Sequence, residues 1–416
     1  MRQLLTHVRP FDSARGTLGP LSTLVIEGDR LAAVLPHAEG GAAPAVDDVA
    51  TRTDGGGRVV LPGLIDAHVH VTAAHHDLSA LGLQPVSLIA AESGAIMRGM
   101  LQRGFTTVRD AGGADFGLRT AQQKGLFEGP RLYIAGFPIS QTGGHADMRP
   151  MGVRHREWYC SCAGLGLIGA IADGVGEVRR AVREQVRTGA NQIKIMAGGG
   201  IASPSDPLEG TQFSLDELRA ACEEAEAANL YTMAHAYSPR AVTRAVQCGV
   251  RSIEHGNLID EATAREMKRC GAYLVPTLST YAALADMGAA LGWSAEMLDK
   301  LARVKDRGIE AVRIARAEGV PVVFGTDLLG AMHERQSGEF DLRLQAMDAV
   351  AALQSATIEA ARLMRLEGQV GELVPGAYAD LLVVDGDPTQ SLDMLTAPDT
   401  GIRWLMQGGR VLRSSL

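Results

Sequence analysis

The chain has 416 residues, 46% of them hydrophobic, which is enough apolar material for one large α/β unit with a smaller one attached. Its formal charge of −8, from 48 acidic and 40 basic residues, leaves no basic footprint for nucleic acid. No run is apolar for long enough to span a membrane, residues 1–7 lack the apolar stretch of a secretory signal, and five cysteines without a scaffold spacing point to a reducing cytoplasm.

Short apolar runs broken by Gly and Pro open the chain. Residues 22–27 and 30–34 are predicted strands, and 39–44 a loop. From there strand and helix patterns alternate. Strands are predicted at 59–68, 106–109, 131–135, 192–197, 231–234, 252–255, 273–276 and 322–325. Between them, Val175, Val178, Val182 and Val186 recur at helical spacing. Ser214 with Glu217 forms a capping-box pattern that opens a helix over 214–228. Eight strands alternating with helices predict a (β/α)8 TIM barrel. After it come strand-like runs at 380–385, 402–406 and 409–412. The two β-rich ends are expected to build one composite β-sandwich domain from 1–58 and 367–416, with the barrel over 59–366.

In such a barrel the chemistry belongs at the C-terminal ends of the strands. His68 and His70 fall there, and a period of two turns both imidazoles to one face. Lys194 lies between isoleucines on the fourth strand, His235 follows the fifth, His255 ends the sixth, and Asp327 follows the eighth. Any one of these alone reads as an ordinary core, loop or turn residue. Six together, in strand order, read as ligands for two divalent ions, for which imidazole and carboxylate suit zinc. A desolvated lysine near metal charge loses its proton more easily and can take up carbon dioxide. The resulting N6-carboxylysine at Lys194 would supply a two-oxygen bridge. Cys160 and Cys162 are either a soft metal site or two free thiols. His75 and His76 read as solvated or supporting, and His333 is a candidate for the site mouth.

These residues carry a family resemblance. The run Leu61-Pro-Gly-Leu-Ile-Asp-Ala-His-Val-His70, the helix pattern over 351–366 and the return over 372–388 resemble the amidohydrolase superfamily, in its imidazolonepropionase-like and prolidase branch. The resemblance implies that His68 and His70 bind one metal and that His235 and His255 bind the second. Lys194, carboxylated, would bridge them. Asp327 would ligate the first metal and act as the catalytic general base. It also implies a homo-oligomer.

Residues 194–207 and 233–238 are similar to dipeptidases of this branch, which cleave Xaa-Pro bonds or release a C-terminal basic residue. Residues 142–147 resemble their Gly-Gly-His loop, with Ala146 in place of a glycine. By that likeness His145 would assist the oxyanion and Tyr237 would bind the substrate's free carboxylate, against plain readings of loop stabilisation and packing. Arg154, Arg156 and Trp158 are candidates to contact an acidic or aromatic substrate, unless their loop is simply solvated. The expected activity is therefore hydrolysis of an amide next to a free carboxylate. A prolidase-like dipeptidase leads. An N-acyl-amino-acid or ochratoxin-type amide hydrolase follows, and a cyclic amidase stands further off.

Overall fold

The structure, a computed structural model, describes residues 2–38, 43–150, 152–155, 165–166, 169–203 and 206–416. Arg156, Trp158, Cys160 and Cys162 lie outside the described residues, as does part of the 39–44 loop.

Both chain ends meet in one nine-stranded sheet. Arg2–Asp12, Ser22–Glu27 and Arg30–Pro36 come from one end, and Leu381–Val384, Ile402–Gln407 and Arg410–Ser414 from the other. Val59–Pro62 lies in the middle, parallel to the first strand and antiparallel to Leu381–Val384. Strand periodicity then divides its side chains. Val60 packs with Leu381, Val383 and Trp404 in one core. Val59 and Leu61 join Leu382 and Val384 in the larger core beneath.

The single strand expected over 59–68 is thus two. Gly63 separates them, where a Cβ would lie 2.0 Å from Oγ1 of Thr106. The chain then enters Leu64–Val69, which pairs in parallel with Phe105–Asp110, itself paired with Arg131–Tyr133. A second parallel sheet runs through Ile193–Met196, Thr232–Ala236, Ser252–His255 and Tyr273–Val275. Backbone bonds cross both seams between the two sheets. On one side the Asn191 amide donates to the Ile134 carbonyl at 2.7 Å. On the other, the segment around Val323 serves both neighbours: the Val323 amide donates to Leu274 at 2.8 Å, and the Ala67 amide to Phe324 at 2.9 Å.

The strand expected at 322–325 shortens to one bridge, between Val322 and Leu274. Pro321 before it has no amide to donate. Gly325 then passes so close to the His68 strand that a Cβ would meet that of His68 at 2.9 Å.

The helices between the strands follow their predicted faces in part, with Val175 left exposed at the start of its helix. Val175–Arg187 buries Val178 and Val182, and Leu215–Ala227 starts with the full Ser214–Glu217 capping box. The helix expected over 351–366 is broken into Ala349–Ser355 and Ile358–Met364. Thr357 interrupts it with a hydroxyl bonded back to the Leu353 carbonyl at 2.8 Å, local bonding that competes with the helix ladder. No helix among the described residues is long and apolar enough to cross a membrane.

Candidate active site

His68, His70, Lys194, His235, His255 and Asp327 line one cavity, together with His145 and Tyr237. Lys194 lies within its parallel strand, Asp327 follows the Val322 bridge segment, and the histidine ligand candidates come from the ends of parallel strands or the turns after them. His255 and Asp327 leave their strands with positive φ, 75° and 54°, a backbone state unusual outside glycine and common where a site imposes it.

His68, His70 and Asp327 each offer a ligand atom within 4.8 Å of the others'. Both imidazoles are oriented from behind. His68 Nδ1–H donates to Glu254 at 2.7 Å, and His70 Nδ1–H donates to the Gly112 carbonyl at 2.8 Å. Their Nε2 atoms are left to approach Oδ1 of Asp327, at 3.3 Å and 3.1 Å. His68 Nε2 is buried and makes no hydrogen bond of sound geometry there. An orphaned imidazole nitrogen beside a carboxylate fits a divalent cation, with the bonds behind the rings setting the tautomer. Burial by itself would raise the Asp327 carboxyl, yet the two histidines hold it well below the usual range.

His235 and His255 stand across the cavity, ring centroids 4.5 Å apart. Burial keeps both well below the ordinary histidine range, so both are neutral and able to ligate. His235 Nε2–H donates to the Gly199 carbonyl at 3.1 Å, which leaves Nδ1 free. His255 contacts Thr277 through Nδ1 at 2.8 Å, which leaves Nε2 free. Lys194 is buried, and burial lowers its ammonium to about 8.

His145 stacks on His235 at 4.2 Å and turns Nδ1 to Asp206 at 3.1 Å. A Cβ on Gly200 would lie 2.0 Å from Cε1 of His145, so only glycine lets the ring sit there. Lys300, buried on the helix Ala295–Ala317, fastens the Asp206 loop by donating to the carbonyls of Ser203 and Asp206 at 2.9 and 2.8 Å. Tyr237 stacks on His255 and bonds Tyr281. The remaining wall is largely apolar, with Leu78, Met148, Leu284, Trp293 and Leu329.

Several of these groups escaped the sequence reading. Glu254 is gripped by Arg109 at 3.0 and 3.1 Å and by the Ser252 hydroxyl. Asp66 ties the His68 strand to the Asp327 segment by accepting from the His68 and Thr326 amides and the Thr326 hydroxyl. Both carried a visible signal, a charge inside an apolar strand. His333 is not in the cavity wall; it donates to the Ala73 carbonyl at 3.0 Å. His75 and His76 stack on one another behind the first strand. Arg154 is exposed and also not in that wall.

An α/β fold whose parallel strands end in a His–His–Asp donor cluster, inside a partly apolar cavity, defines a hydrolase with a place for metal. Residues 59–412 match the amidohydrolase family, and the chain belongs to it. A crystal structure of a prolidase in complex with N-methylphosphonate-L-proline is 45% identical, with a TM-score of 0.94 and 100% of both chains covered. That of an amidohydrolase is 43% identical, TM-score 0.95, again over 100% of both chains. Ochratoxinase of Aspergillus niger is 32% identical over 371 residues, covering 85% of this chain and 76% of that protein. The protein is a hydrolase acting on amide bonds.

Proposed function

We propose a binuclear, metal-dependent amidohydrolase that cleaves an amide next to a free carboxylate, with prolidase-like dipeptides (Xaa-Pro, or a C-terminal basic residue) as leading substrates. One observation carries it: six ligand-type side chains from five strand segments, His68 and His70 sharing one, face one cavity, with Tyr237 and His145 beside them. The fold in this reading is a closed (β/α)8 barrel over 59–366, supported by the bonds across both seams. A composite β-sandwich of 1–58 and 367–416 accompanies it, sharing the strand Val59–Pro62.

His68, His70 and Asp327 would hold one ion, His235 and His255 the other. Lys194, with its amine already weakened by burial, would bridge them as N6-carboxylysine. Two zinc ions bound there would polarise the scissile carbonyl and acidify a water. Asp327 takes the proton from the attacking water and delivers it to the leaving amine. His145, fixed through Nδ1 by Asp206, presents Nε2 to the carbonyl oxygen as it gains charge. Tyr237 binds the carboxylate. The charge balance and the described cysteines, all free, suit a cytoplasmic protein that takes small molecules without nucleic acid or membrane. A homo-oligomer follows from the family resemblance alone.

The apolar wall favours a second reading, an ochratoxin-type or other N-acyl-amino-acid hydrolase, because Trp293 and Leu284 could seat a bulky aryl acyl group. Zinc-loaded enzyme assayed on Xaa-Pro, Xaa-Arg and N-aroyl amino acids side by side separates the two. Turnover of the aroyl amides alone would reject the dipeptidase.

A further inference from the structure

We propose that Tyr281 is a positioning residue, which makes the Tyr237 hydroxyl a hydrogen-bond donor toward the substrate's carboxylate through an ordered chain beginning at His255. The inference rests on the carboxylate role given above to Tyr237, and on Nε2 of His255 being its ion-facing atom.

Four side chains connect in series. His255 Nδ1 lies 2.8 Å from Oγ1 of Thr277, Thr277 Oγ1 lies 3.4 Å from the Tyr281 hydroxyl, and that hydroxyl lies 3.0 Å from Tyr237's. All four residues are buried. Each hydroxyl has one proton to give.

Thr277 occupies Nδ1, so only Nε2 of His255 can face an ion. A neutral imidazole with its Nε2 lone pair so used carries its proton on Nδ1 and donates it to Thr277. Thr277, having accepted, sends its own proton to Tyr281. Tyr281 then donates to Tyr237. The Tyr237 oxygen is satisfied as an acceptor, and its O–H remains for the cavity. A carboxylate can only accept, so this polarity selects it, whereas a carboxamide offers an acceptor oxygen but no charge. Thr277 is held in place with φ of 48°, a strained state for a β-branched residue.

The test uses metal-loaded enzyme and two probes, N-methylphosphonate-L-proline and its carboxamide counterpart, with calorimetric binding alongside inhibition. Tyr281→Phe cuts the chain while keeping the ring. We expect the acid to bind about tenfold more weakly and the carboxamide to lose much less, so that the acid-over-amide preference shrinks, the effect of losing one oriented bond to a charged group. For a dipeptide substrate KM should rise while kcat holds. Thr277→Val should reproduce the loss, and Thr277→Ser should restore the acid preference. Tyr281→Phe should keep the wild-type melting temperature and metal content; Thr277→Val also takes the acceptor from His255 Nδ1, so it is compared at a zinc concentration that restores its metal content. If Tyr281→Phe, or a folded Thr277→Val, keeps the wild-type acid-over-amide ratio, the chain is overturned and the carboxylate reading survives. If the wild type itself shows no preference for the acid, both fall together.

Discussion

The His68 imidazole and the Glu254 carboxylate meet at 2.7 Å with both side chains buried, and Arg109 closes the other side of Glu254. This pair decides which nitrogen of His68 faces the cavity. Glu254→Ala should weaken metal binding about 10- to 100-fold, because the ring loses its orienting acceptor. It should also cost about 3–5 kcal/mol, since Arg109 is left buried without a counter-charge. Metal titration and urea unfolding of the metal-free protein measure the two separately. Glu254→Gln, which keeps an acceptor, should lose less metal affinity.

Lys194→Ala should lose one metal equivalent and most activity, with short carboxylic acids restoring part of both. Metal content by elemental analysis, with and without propionate, checks this. Full occupancy and activity in the variant would remove the lysine bridge.

Lys300 acts at a distance from the reacting bond. Lys300→Met gives up two bonds from a charged donor and leaves the carbonyls of Ser203 and Asp206 without their partner, a cost of about 1–3 kcal/mol. The freed loop should let His145 wander, so kcat falls while metal content stays level. Limited proteolysis should find new cleavage near residue 206.

The His333 ring sets a pH dependence. Burial lowers it to about 4 from an ordinary 6.5, against the bond to the Ala73 carbonyl, which the charged ring would also make. The unfolded chain therefore takes up this proton first. Stability from this group is whole above pH 6.5 and drains as pH falls toward 4. His333→Gln keeps a donor without a titrating ring, so its urea midpoint should fall less across that window than the wild type's.

The residues that line the cavity were legible because their signals are local. Two histidines one residue apart share a face, and polar residues at the ends of apolar strands stand out. Tyr281, Thr277, Asp206 and Lys300 have no such signature. They meet the site through contacts such as Lys300 to Ser203, across 97 positions of sequence, which no periodicity encodes. The parallel architecture was legible from alternating periods. The break at Gly63 was not, because the apolar pattern runs through it and only the approach of Thr106 demands it. Thr357 splits its helix for a similar reason, a hydroxyl bond that composition does not announce.

Val59–Pro62 has one further meaning, for the order in which the chain can assemble. This strand leads directly to His68, yet one of its neighbours is Leu381–Val384, near the far end of the sequence. During synthesis the first histidine pair emerges early but waits for that late strand to complete the pairing before it. Asp327 also arrives late. The His68–His70–Asp327 cluster is therefore a product of the finished polypeptide, and a nascent chain stalled before residue 381 would expose its histidines before they can be organised.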